Sequence, residues 1–155
     1  MNTSRSTRHA PALRRGAQEG QAIAEMAIVM PILLILVFGI IEMSNAWRTH
    51  QVVTNLTREG ARTAILPTTD ATSDVTSVIL GGLSAQGMSA PDTIIVKCNG
   101  ADGVCNGTGQ EALVRIEYPF SFRLLGPIVT WACGSGCASS FGTITIGSTT
   151  VMRRE

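Results

Sequence analysis

No charged residue stands between Glu25 and Glu42, and that stretch limits what this chain can fold into more than any other. Residues 22–41 are apolar apart from Glu25. At about 1.5 Å per residue they form a helix of roughly 30 Å, the thickness of a bilayer's hydrocarbon core. Lipid offers no hydrogen bonds to a backbone, so a segment of this composition is predicted to be a single transmembrane helix. Arg5, Arg8, Arg14 and Arg15 precede it against one acidic residue, Glu19. The positive-inside rule therefore keeps the N-terminus cytoplasmic and sends the rest across. Trp47 follows at interfacial depth, with Arg48 and His50 beyond it. Pro31 removes one backbone donor within the helix, a defect that membrane helices tolerate, and is read as a mild kink.

The remainder is one domain's worth of chain. Of 155 residues, 108 lie from Arg48 onward, enough for one modest core. Net charge is +1 overall, and the first 20 residues contribute +3 of it, leaving −2 for the rest. Few scattered arginines without interleaved aromatics do not make a nucleic-acid arm, so no nucleic-acid partner is expected.

Cys98, Cys105, Cys133 and Cys137 all fall on the side that the charge rule places outside the cytoplasm, where thiols are oxidised. Two disulfides are expected, and three connectivities are open to four cysteines. Spacing favours Cys98–Cys105 and Cys133–Cys137, because both loops are rich in residues that turn tightly. No metal site is expected, since the Cys-x-x-Cys knuckles of structural zinc sites are missing.

Past the apolar run, Val52, Val53, Leu56, Gly60, Ala64 and Ile65 recur at spacings of three and four, so the helix is predicted to continue until Pro67. Counted to about residue 66, it would be roughly 65 Å long. Residues 70–74 offer several caps for a second helix, whose apolar face is Val75, Val78, Ile79, Gly82 and Leu83 and which ends near Gly87. Residues 93–98 read as a strand. From Val114 to Arg123 apolar and polar residues alternate, with Pro119 pointing to an edge or bulge. Residues 141–152 give a third strand. The apolar cluster Leu124, Leu125, Ile128, Val129 and Trp131 is assigned to the core, with a partner surface as the alternative. The fold class is α+β: a long N-terminal transmembrane helix extending from the membrane, then a small disulfide-stabilised head with a short helix and an antiparallel sheet.

No catalytic residue is assigned. His9 precedes the membrane segment and His50 sits at its edge, which leaves the head without a histidine for general-base work. A carboxylate-only site drawn from Asp92, Asp102, Glu111 or Glu117 is the enzymatic alternative. No cofactor is implied.

Gly20, four residues and then Glu25 at the head of a membrane-length helix have the form of a prepilin peptidase site, cut between Gly20 and Gln21. That site, Pro31, Leu33, Leu34 and the run Gly39, Ile40, Ile41, Glu42 resemble the TadE family, pilin-like components of the tight-adherence (Tad) system that builds Flp pili. Arg58, Glu59, Gly60, Ala61 and Arg62 are similar to the family's post-membrane helix, and residues 143–146 and 152–155 to its C-terminal strand. The likeness departs at Met26, where Flp-type sites usually place an aromatic. It implies a minor pilin or pseudopilin acting in pilus biogenesis, adherence or secretion. Its partners would be other pilins, Tad assembly proteins, prepilin peptidase and the lipid bilayer.

The resemblance also implies roles for residues. Glu25 would dock subunits by meeting a neighbour's N-terminal ammonium, with snorkelling to the interface as the alternative. Pro31, Gly39 and Glu42 are helix-packing positions, Glu42 being read first as an interfacial residue. The expected organisation is a basic leader at 1–20, a helix and its extension at 21–66, and an extracytoplasmic head at 67–155, held in the cytoplasmic membrane or incorporated in a pilus. The rival expectation is a secreted binding domain released by signal peptidase after Ala46, since Ser44, Asn45 and Ala46 have the small-x-small form of that site.

Overall fold

A computed structural model describes residues 15–69, 71–134 and 143–155 of the chain. It divides into two compact units, Met1–Gly39 and Ile40–Glu155. Helix α1 (Arg15–Ala64) starts in the first and runs on into the second, with Pro31 inside it. In the first unit Ile23, Met26, Ile28, Ile32 and Leu36 are all more than half exposed. A helix whose apolar side chains are uncovered on every face is one that a lipid phase would solvate. Among the described residues α1 is the one helix long and apolar enough to cross a membrane.

The second unit is a four-stranded antiparallel sheet with helices. Strands β1 (Thr93–Cys98), β2 (Ala101–Asp102), β3 (Glu111–Ser121) and β4 (Thr143–Arg153) lie in the order β2-β1-β3-β4. The alternation in β3 puts Ala112, Val114, Ile116, Tyr118 and Phe120 on one buried face. On the opposite face Arg115 pairs with Glu117 at 2.6 Å. Ile144 and Ile146 share the inward face of β4, opposite Phe120 and Tyr118.

Two helical stripes complete the core. From the last turns of α1 come Val53, Thr57, Ala61 and Ala64, and from α2 (Thr72–Ala85) come Val75, Ile79 and Leu83, all essentially inaccessible. The spacings of three and four gather each set on one face. The Thr57 hydroxyl donates to the Val53 carbonyl at 2.7 Å, so its burial strands no donor. Gly60 and Gly82 are where these helices come closest to their neighbours. A Cβ on Gly60 would stand 2.8 Å from Ile79 Cδ1 and 3.4 Å from Val114 Cγ1, and one on Gly82 would stand 2.2 Å from Leu56 Cδ2.

Local boundaries have identifiable physical causes. Helix α2 begins after Ala71, which offers no side-chain cap, with Asp74 in the first turn. It ends where Gly87 adopts φ +68° and donates its N–H to the Ser84 carbonyl at 2.9 Å. Pro119 belongs to a strand paired on both sides, yet β1 reaches only as far as Glu117. At Pro119 the sole strand partner is Thr145 of β4, so the missing N–H costs no ladder bond on the other side. The cluster assigned to the core falls on a third helix, α3 (Leu125–Cys133), and its cap; the side chains of Val129 and Trp131 lie outside the described residues. Leu124 is 41% exposed, and Leu125 and Ile128 are only half-buried. Pro127 is tolerated there because it lies in the first turn, where a helix has no intrahelical acceptor for the N–H.

The glycine contacts predict opposite effects at two positions. Gly60→Leu should cost about 1–3 kcal/mol by overpacking against the buried Ile79. Gly81→Ala, with nothing within 4 Å of the added Cβ, should gain about 0.5–1 kcal/mol from helix propensity. Thermal unfolding of the full chain in detergent checks both signs.

Candidate functional site

In the unit Met1–Gly39, Gly20 has nothing within 4 Å of where a Cβ would stand. The Gln21 side-chain amide donates to the Glu25 carboxylate at 3.1 Å, one helical turn away. Both side chains are exposed. Gly20, Gln21 and Glu25 thus form one accessible segment at the head of the apolar helix. Pro31 and Gly39 lie further along the same helix, with open space around the Gly39 Cβ direction.

Glu42 is different in kind. It is 2% exposed, and its Oε1 accepts the backbone N–H of Leu124 and, at 3.4 Å, that of Leu125. These amides open α3, whose own N-cap residue supplies no side-chain bond. A helix start has unsatisfied N–H groups and a partial positive charge, so a carboxylate there is favourable on both counts. The cap is supplied from 82 residues away in sequence. It fastens α3 to the helix residue that directly follows the apolar run.

Beside this cap lies a groove of about 420 Å³. Asn45, Arg48 and Thr49 of α1, Met88 and Ser89 after α2, and Tyr118 and Arg123 at the end of β3 contribute to it. Ser89 Oγ and Tyr118 Oη are 3.1 Å apart and share a hydrogen bond. Arg48 and Arg123 are exposed. The sequence carried no signal for this convergence, because its residues come from three separated segments.

Cys98 and Cys105 are joined by a disulfide. Cys105 is fully buried, its N–H donates to the Ala64 carbonyl at 3.2 Å, and its carbonyl accepts from the Arg154 guanidinium. The loop therefore ties the end of α1 to the residue following β4. Cys133 closes α3, while Cys137 and with it the expected Cys133–Cys137 pair lie outside the described residues. Arg58, Glu59 and Arg62 are exposed, whereas Gly60 and Ala61 are buried, so the small residues of that motif serve packing and its charges face outward.

Residues 20–62 match the family model described as TadE-like protein. The match takes in Gly20, Glu25, Pro31, Gly39, Glu42 and the 58–62 segment, and it stops before α2, the sheet and α3. No curated protein and no solved structure matches the chain.

Removing the cap has a defined consequence. Glu42→Ala leaves two N–H groups of α3 without their acceptor and should cost about 1–3 kcal/mol, with faster hydrogen exchange at Leu124 and Leu125. Glu42→Gln keeps an acceptor oxygen and should recover part of the loss.

Proposed function

We propose that this chain, TadE-like over residues 20–62, is a minor pilin or pseudopilin of a Tad (Flp) pilus, working by assembly and not by catalysis. The observation that carries the reading is the coincidence of that match with an accessible Gly20–Glu25 segment heading a helix of uncovered apolar side chains. On this reading prepilin peptidase cuts between Gly20 and Gln21, and glycine leaves the scissile bond free of a side chain that would resist an extended backbone. Glu25 then becomes the fifth residue of the mature subunit. A carboxylate on the lipid-embedded part of a helix is costly, about 2.5–3.5 kcal/mol for similar groups at mid-bilayer. An ammonium on a neighbouring subunit would offset that cost and set the register between them. The Gln21–Glu25 bond suits this role, since it holds the carboxylate beside the new terminus.

The basic flank favours a cytoplasmic N-terminus in the inner membrane and an extracytoplasmic head. An oxidised Cys98–Cys105 pair fits that compartment. The partners proposed are other pilins, Tad assembly proteins and prepilin peptidase. Release by signal peptidase after Ala46 is the weaker reading, because it would cut α1 between the cap at Glu42 and the core residue Val53 and so strip α3 of its acceptor.

N-terminal sequencing of the protein from its native host separates these readings. Gln21 is the expected first residue, and Trp47 would overturn the proposal. Glu25→Ala is expected to leave membrane insertion unchanged while abolishing incorporation or pilus output, and normal piliation would rule out the docking role.

A further inference from the structure

Within the unit Ile40–Glu155, Ile40 is 60% exposed, Met43 71%, Trp47 64% and Leu124 41%. The first three surround Glu42 in sequence, and the fourth donates its N–H to the Glu42 carboxylate. Helix α3 continues from there without a charged residue through Leu125–Cys133. None of its described side chains belongs to the core: Leu125 and Ile128 are half-buried, and Pro127 and Thr130 are exposed. Apolar side chains that the core does not take up, here Leu124, Leu125 and Ile128, call for another apolar phase.

Its depth is constrained. Glu42 is the residue immediately after the apolar run 22–41, and its side chain holds the first two amides of α3 directly. The first turn of α3 therefore lies within one side-chain length of the level at which α1 leaves the hydrocarbon. Arg48 and Arg123, both exposed, stand on the groove beside the same carboxylate. Cationic side chains next to an aromatic and an apolar helix are the composition of a membrane–water interface.

We propose that α3 is an interfacial anchor, lying in the headgroup–acyl boundary of the membrane that the apolar helix crosses. Leu124 and Ile128 enter the acyl edge, and Arg48 and Arg123 sit at the level of lipid phosphates. The proposal rests on the membrane reading of α1 and adds a second point of lipid contact. Short apolar elements at an interface gain by burying their face about 5–10 Å into that boundary. The Glu42 cap makes this feasible, because a helix start at the boundary would otherwise present unsatisfied N–H groups to a poorly hydrated layer.

The test uses the full chain with Trp47→Phe and Trp131→Phe, so that one introduced tryptophan reports depth. Leu36→Trp, Leu124→Trp and Ile128→Trp are each reconstituted into phosphatidylcholine vesicles carrying bromine at shallow or deep acyl positions. The expected result is quenching of Leu36→Trp chiefly by deep bromines. Leu124→Trp and Ile128→Trp should be quenched chiefly by shallow bromines and shielded from aqueous iodide. Should Leu124→Trp fail to fold, Ile128→Trp alone carries the readout. Iodide-accessible, unquenched signals at both positions beside a quenched Leu36→Trp would overturn the anchor while leaving α1 in the membrane, and would reassign this face to a protein partner. An unquenched Leu36→Trp would remove the membrane reading, and the anchor with it.

Discussion

The head depends on a face of α1. Val53, Thr57, Ala61 and Ala64 supply one wall of the core, and Val114 and Ile116 of β3 and Ile79 of α2 close against the same cluster. A sheet of four strands with one 14-residue helix would otherwise leave a large part of its apolar face in water, a cost of roughly 25 cal/mol per Å². The end of α1 is therefore part of the domain and not a stalk beneath it. Its small residues follow from that role, since Gly60 lets Ile79 approach more closely than a Cβ would allow.

Two polar ties then fix segments that apolar burial alone would leave loose. At one end of the head the Glu42 carboxylate organises the start of α3. At the other, the Cys98–Cys105 loop donates to the end of α1 and accepts from Arg154. Each tie joins residues far apart in sequence, and each uses backbone groups that would otherwise lack partners. Directional bonds of this kind specify one arrangement, whereas apolar contact tolerates many.

Periodicity made the elements legible and left their connections obscure. The strands read at 93–98, 114–123 and 141–152, the apolar stripe of α2 and the long α1 are all visible as period-two or three-to-four patterns, because burial on one face acts through local spacing. The local disulfide was legible for the same reason. Helix α3 was not, since its stretch read only as an apolar cluster and an all-apolar run has no period to detect. Its cap was beyond sequence reading altogether: nothing near Glu42 signals that its carboxylate accepts from the Leu124 and Leu125 amides. The placement of Arg48 and Arg123 on one groove was hidden likewise, as those residues come to line it only after the sheet and helices pack.

Because β1 stops opposite Glu117 while β4 follows β3 to Ser121, a single strand spans two mechanical regimes. Residues 111–117 are clamped from both sides, but residues 118–121 are held from one. Opening free energies within a native protein follow such differences in local bonding. The terminal third of β3 therefore relies on its side chains, the buried Tyr118 and Phe120 and the Ser89–Tyr118 bond, for what a second strand supplies to the rest, so any loosening of that packing frees the lead into α3 before the doubly paired stretch.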